Sequence, residues 1–306
     1  MTFSVRFFKR LILLVLLLMI VVPTCCAFFF WQKTGNLERQ LAEHGEDPSR
    51  PGQVSPAPSG DPGVVPTSYD TALEGEPLNY QTLFPDLYGT ASVTGQRTKA
   101  IDTVYLTFDC TPSSNTLEIL DKLDVYGIKA TFFVNGSTDL DAQDVLKQIV
   151  DRGHTIGLRG NSTSYQKIYQ SVEAYLEDFN EIYNLVYETT GVRAEIFRFP
   201  GGSVNSYNSG IYQELIAEML RRNFVFFDWS IPGDSSGVGE PSAEEISANV
   251  VNGMAGKDRA IVKFRDSVGR GAVAGAIPAI VNELQALGYS FQPLTASVLP
   301  VVFSYP

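Results

Sequence analysis

From Ile101 onward the sequence alternates short β-branched or aromatic runs with longer amphipathic stretches, and this alternation restricts the fold more than any other feature. Val104–Phe108 (VYLTF), Lys129–Val134 (KATFFV), His154–Leu158 (HTIGL), Glu195–Phe199 (EIFRF), Phe224–Trp229 (FVFFDW), Arg259–Phe264 (RAIVKF) and Ser290–Pro293 (SFQP) read as strands. Between them Ser114–Tyr126, Asp141–Arg152, Val172–Thr190, Ile211–Arg222, Ala243–Met254 and Val273–Leu287 carry helical periodicity. Gly153 and Gly191 supply stop signals. A βα unit repeated about seven times calls for parallel strands covered by helices. A closed barrel and an open doubly wound sheet both satisfy that requirement. No G-x-G-x-x-G follows the first strand, so the dinucleotide-binding form of the open sheet has no support. In a barrel, chemistry collects at the C-terminal ends of strands. Those ends are Asp109-Cys110, Gly157 to Thr163, Arg198 to Ser203, Asp228 to Asp234, and Arg265-Asp266.

The N-terminal part has a different character. Leu11–Trp31 is an uncharged apolar run, long enough to span a hydrocarbon core of roughly 30 Å. Arg6, Lys9 and Arg10 precede it, so residues 1–10 are expected to stay in the cytoplasm and the rest to be exported. A cleaved signal peptide is the rival reading; the length of the run and the lack of a clear A-x-A site favour an uncleaved anchor. Cys25 and Cys26 lie within it, after Val22-Pro23-Thr24, which does not resemble a lipoprotein cleavage box. Residues 32–75 are rich in Pro, Gly, Ser and Asp, too poor in apolar surface to offset their ordering entropy, and read as a disordered stalk that contains His44. Residues 76–306 form the expected exported domain, with Pro77–Lys99 as a lead-in packed on it. The expected location is therefore the cell membrane, single-pass, with the C-terminal domain outside the cytoplasm. A net charge of −11 repels phosphate backbones and argues against nucleic acid as a partner.

The strand-end residues resemble those of the polysaccharide deacetylases with the NodB homology domain. Thr107-Phe108-Asp109-Cys110-Thr111-Pro112 is similar to the family's T-F-D-D-G-P, and Lys129–Val134 to its K-A-T-F-F-V. Gly153–Gly157 and Arg198–Ser203 (RFPGGS) match further motifs, as does Asp228-Trp229 followed by Gly233-Asp234. The resemblance covers about Ala100 to Pro300. It implies a distorted (β/α)7 barrel of the polysaccharide deacetylase type, preceded here by one transmembrane helix and a stalk. Working members hydrolyse an N-acetyl group from an aminosugar polymer such as peptidoglycan or chitin. They use a divalent metal held by one aspartate and two histidines, a second aspartate as general base, and a histidine as general acid.

By this resemblance Asp109 holds the base position. The metal-ligand positions hold Cys110, Arg159 and Thr163, and the general-acid position holds Arg265, followed by Asp266. Arg198 and Asp228 match the groups that orient base and acid in active members. Counting supports the loss independently: the chain has 2 His, and only His154 lies in the domain, on a strand. Arg265 does not release its proton at neutral pH, so it is no acid, although it can hold an oxyanion or a carboxylate. Arg159 is expected to lie beside Asp109, in the volume of the lost metal. No cofactor is expected; a zinc-type metal enters only if the family site is somehow retained. Cys110 has a second reading as a nucleophilic thiol with a lowered pKa, activated by neighbouring arginines.

Three functions compete. The favoured one is a catalytically inactive member that binds an envelope glycan such as peptidoglycan, or a cell-wall enzyme, with Pro200, Gly201, Gly202 and Trp229 lining the groove. The second is an active N-acetylglucosamine deacetylase with an atypical site. The third is a structural interaction module with its groove filled.

Overall fold

A computed structural model of the protein describes residues 77–91, 95–235 and 240–304. The expected cytoplasmic tail, membrane anchor with Cys25 and Cys26, and stalk with His44 lie outside the described residues. Among the described residues no helix is long and apolar enough to cross a membrane.

The core of the fold is a parallel sheet. Its strands are β1 (Thr103–Cys110), β2 (Thr131–Asn135), β3 (Thr155–Gly160), β4 (Ile196–Phe197), β5 (Val225–Phe226), β6 (Ile231–Pro232), β7 (Arg259–Asp266) and β8 (Ser290–Phe291). The helices between them are α1 (Ser114–Val125), α2 (Leu140–Asp151), α3 (Tyr165–Ile168), α4 (Val172–Thr190), α5 (Tyr212–Arg221), α6 (Ala243–Gly253) and α7 (Gly271–Ala286). The spatial order is β5-β4-β3-β2-β1-β7-β6, with β8 paired to the start of β1.

The sheet is a parallel half-barrel, so the expected distorted (β/α)7 barrel is present in its parallel α/β plan, with the sheet left open between β5 and β6. Among the described residues β5 and β6 do not pair, and the strand expected at Phe224–Trp229 breaks after Phe226. The backbone changes partners there. Phe227 N still donates to Phe197 O of β4 (3.0 Å), Asp228 N donates to Val301 O (2.9 Å), and Ser230 N donates to Ile261 O of β7 (2.9 Å). Pro232 has no N–H to extend a ladder on its side. Asp228 therefore sits in the gap, with the C-terminal segment beside it.

Strand alternation divides the interior into two layers. Val104, Leu106, Phe108 and Cys110 face the helices and join a large core with Phe132, Phe264 and the apolar sides of α1, α2, α4 and α7. Tyr105 on the opposite face joins Phe133, Ile196, Val225, Phe227 and Ile261 in a second cluster on the inner side of the sheet. Each fully buried aromatic or aliphatic side chain in these layers contributes about 1.5–3 kcal/mol. Thr107 and Asp109 continue the inner face toward the strand ends, which places Asp109 in the mouth of the half-barrel.

The segment before β1 is secured by one buried guanidinium. Arg222 is fully buried; Nη1 donates to Phe84 O (2.9 Å) and Leu87 O (3.2 Å), and Nη2 to Leu83 O (2.7 Å) and Tyr80 O (3.2 Å). Glu218 accepts from its Nε at 2.6 Å and supplies the counter-charge.

Candidate functional site

Asp109 is the centre of the mouth. Its side chain is only 8% exposed, and each oxygen meets a different arginine. Arg198 Nη1 lies 2.9 Å from Oδ1, and Arg159 Nε lies 3.5 Å from Oδ2. Arg198 is fully buried and its other donors are committed: Nη1 also reaches Thr107 Oγ1 (2.9 Å), Nε reaches Phe227 O (2.9 Å), and Nη2 reaches Asp228 O (3.4 Å). The guanidinium carbon lies 4.2 Å from the Phe133 ring centroid. Burial pulls the Arg198 pKa down, and the Asp109 carboxylate opposes that. A cation in this position needs its carboxylate, because an unpaired buried charge costs several kcal/mol.

Arg159 comes from the end of β3 and faces Asp109, in agreement with the sequence expectation. Its Nη1 donates to Asn135 Oδ1 (3.1 Å) and its Nη2 to Tyr165 Oη (2.8 Å). The loop after it is pinned by Asp178 of α4, which accepts from Asn161 N (2.8 Å) and Ser162 N (2.6 Å). Thr163 is exposed on that loop. Together Thr111, Asn135, Arg159, Thr163, Tyr165 and Tyr207 line most of a cleft of about 560 Å³. Tyr165 and Tyr207 meet edge to face, with centroids 5.6 Å apart.

Asp228 does not ion-pair with Arg198 through its side chain. Its Oδ1 accepts from Ser203 N (2.8 Å), and its Oδ2 from Ser203 Oγ (2.5 Å) and Phe303 N (2.8 Å). Burial raises its pKa, and these donors offset part of the rise. Phe303 also packs against Trp229, with ring centroids 4.8 Å apart. Arg265 is 45% exposed and is held by Asp234: its Nε lies 2.8 Å and its backbone N 3.0 Å from Oδ2, while Nη2 lies 3.1 Å from the Asp234 carbonyl.

Several sequence-derived positions are elsewhere. Cys110 is fully buried on the helix-facing side of β1, with Sγ 3.6 Å from Thr116 Oγ1 of α1. Burial, then the neighbouring Asp266, pushes its thiol well up, the opposite of an activated nucleophile. Asp266 lies on that same side, fully buried, and accepts from Asn115 Nδ2 and Thr116 Oγ1, both at 2.7 Å. It joins the end of β7 to α1 and does not enter the mouth, which corrects its assignment to the catalytic group. Pro200 is buried, with its carbonyl taken by Tyr169 Oη (2.7 Å) and Asn205 Nδ2 (3.2 Å). Gly202 is buried beneath the Phe303 ring, so a Cβ there would strike it. Neither residue lines the cleft; Gly201 lies near its rim, where an added Cβ would come within 3.1 Å of the Tyr165 ring.

The sequence reading missed Asn135, Tyr165 and Tyr207 as groups of the cleft, and Lys263 as a group of the mouth outside the cleft. Asn135 ends β2, so the strand-end rule applied to that strand would have found it. Lys263 lies two residues before Arg265 on β7, which the period-two rule of strands would have flagged.

The donor set does not fit a zinc-type metal. Cys110 faces away from Asp109, and the other two positions that the family resemblance gives to ligands hold Arg159 and Thr163, whose side chains are poor zinc ligands. His154 is buried at the start of β3; its Nδ1 accepts from Ala130 N (3.1 Å) and its ring packs edge-on to Phe132. Among the described residues no three His, Cys, Asp or Glu side chains converge as a metal site would require.

Known proteins share this architecture. The sequence profile of the Polysaccharide deacetylase family matches residues 96–219. The catalytic domain of peptidoglycan N-acetylglucosamine deacetylase from Eubacterium rectale is 32% identical and superposes with a TM-score of 0.65, over 69% of this chain and 97% of that one. The chain belongs to the polysaccharide deacetylase family. Another member, a peptidoglycan-N-acetylglucosamine deacetylase of Bacillus cereus, is 29% identical over 198 residues, covering 61% of this chain and 67% of its own. A CE4 family pseudoenzyme from Bacillus anthracis shares the fold at 18% identity, with a TM-score of 0.54 over 65% of this chain and 66% of that one. In this polysaccharide deacetylase family member Asp109 pairs with Arg198 and also faces Arg159, while Arg265 pairs with Asp234.

Proposed function

We propose that this protein binds a cell-envelope glycan of the peptidoglycan type without deacetylating it, and that Leu11–Trp31 holds it in the cell membrane with the domain outside the cytoplasm. The observation that carries the reading is the Arg159 guanidinium, 3.5 Å from Asp109 at a ligand-histidine position. A fixed cation there repels a dication, and at about 4 Å that repulsion reaches several kcal/mol in a partly buried site. Both oxygens of Asp109 face arginines, one of them at 2.9 Å. Arg265 has no proton to give at neutral pH. No step of metal-assisted hydrolysis follows from these residues.

Binding is within the reach of the same residues. The cleft beside Arg159 offers two tyrosine rings for sugar stacking and the polar groups of Thr111, Asn135 and Thr163 for hydroxyls. Relatives act on peptidoglycan by name, which makes a cell-wall glycan the first ligand to try. Co-sedimentation of the full-length chain with purified peptidoglycan sacculi tests this. Saturable binding that a Tyr165→Ala, Tyr207→Ala double variant loses supports it. Failure of the native chain to sediment with sacculi contradicts it, and leaves docking of a cell-wall enzyme as the reading to pursue.

A further inference from the structure

The cations of the half-barrel mouth are arranged for more than sugar hydroxyls. On β7, Lys263 and Arg265 are two residues apart, and the parallel register sets Lys263 opposite Thr107 and Arg265 opposite Asp109. Arg159 and Arg198 reach Asp109 from β3 and the end of β4. Four cations thus face three carboxylates, those of Asp109, Asp228 and Asp234, in a chain whose net charge is −11.

The carboxylates are already engaged. Asp109 takes Arg198 and Arg159, Asp234 takes Arg265, and both oxygens of Asp228 accept from Ser203 or Phe303. Lys263 is left over. Its Nζ stands 4.9 Å from the Trp229 ring centroid, and among the described residues it makes no ion pair or hydrogen bond. Asp234 Oδ1 is buried in the same region without a hydrogen-bond partner, and Lys263 does not take it. Loss of water around Lys263 lowers its pKa, while Asp109 and Asp234 work to keep it charged. A partly desolvated ammonium with no carboxylate in direct contact costs free energy, and an arriving anion recovers that cost through charge-assisted hydrogen bonds.

The geometry points to an anion-reading subsite in which Lys263, flanked by Arg265 and backed by Trp229, receives a carboxylate or phosphate carried on a sugar chain. This inference rests on the glycan-binding reading and adds the charge of the ligand. A neutral acetamide would leave Lys263 unpaired.

Isothermal titration of the detergent-solubilised full-length chain tests it with three probes: neutral chitotetraose, carboxylated tetragalacturonate, and an oligomer of glycerol phosphate. At least one anionic probe is expected to bind about tenfold or more tighter than chitotetraose, and to weaken steeply as salt rises. Which of the two anions binds tighter identifies the carboxylate or the phosphate as the natural group. Lys263→Met keeps the packing on Trp229; it is expected to remove the preference and leave chitotetraose binding and the melting temperature unchanged. Equal affinity for neutral and anionic probes overturns the subsite but not glycan binding, as does an anionic preference that survives in Lys263→Met. Binding of none of the three overturns both.

Discussion

Asp109 and Cys110 are adjacent in sequence at the end of one strand, yet they belong to two different regions. Asp109 faces the inner side of the sheet, where Arg198 and Arg159 hold its oxygens. Cys110 faces the helix layer, where it packs with Thr116 and Asp266 in complete burial. The inner region is polar, partly open and rich in cations. The outer one is closed, and there Asp266 accepts from Asn115 and Thr116. Position in a motif therefore does not settle role: a residue one step along a strand changes environment completely. The inner region is held together by charge pairing, and the outer region holds β7 to α1.

Four experiments break or sharpen that contrast. The largest effect is expected at Arg198. Arg198→Met leaves Asp109 with only the longer Arg159 contact and takes a donor from Thr107 Oγ1 and from Phe227 O, so a loss of about 3–5 kcal/mol in unfolding free energy is expected by urea denaturation. Adding Asp109→Asn should recover a good part of it. A loss under about 1 kcal/mol would mean the inner pair is dispensable.

The next effect belongs to His154, a polar group of the outer layer. Burial, reinforced by Lys129, lowers its pKa from 6.5 to about 4. The unfolded ring takes up a proton below about 6.5, while the folded ring resists until about 4. Stability is therefore present above pH 6.5 and is lost as the pH falls toward 4, by about 3 kcal/mol from this group alone. His154→Asn keeps an acceptor for Ala130 N. It should flatten that part of the curve when melting temperatures are compared between pH 7.5 and 4.5. A variant that follows the native profile in parallel would show that His154 is not the group responsible.

Asp266→Ala removes the acceptor of Asn115 Nδ2 and Thr116 Oγ1 and should cost about 2 kcal/mol, without changing affinity for sacculi. A fall in glycan affinity would bring Asp266 back into the functional region. The smallest effect concerns the thiol. With Cys25 and Cys26 replaced by serine, Cys110 should stay unlabelled by a thiol reagent at pH 8 until denaturant is added. Rapid labelling of the native chain would place it on the open side.

The order of strands and helices was legible because hydrophobic period and Gly stops are local signals, and the long helix Val172–Thr190 appears with its expected bounds. The break after Phe226 was not legible: FVFFDW has strong strand propensity, and only the partner change to Val301 and Ile261 interrupts it. The strand-end rule marked where Asp109, Arg159 and Arg198 would gather, and the family resemblance set Arg159 beside Asp109. The outward turn of Cys110 did not, because a sequence motif does not fix the face of its last residue. Lys263 escaped because its meaning depends on which carboxylates the arginines have already taken.

The most direct test of the central claim is acetate release from peptidoglycan and chitin oligomers by the full-length chain supplied with zinc or cobalt, beside a working deacetylase. The account predicts no release above the metal-free control. Turnover that requires the metal and stops with a chelator would contradict it, and would mean that Asp109 and its arginines support hydrolysis after all.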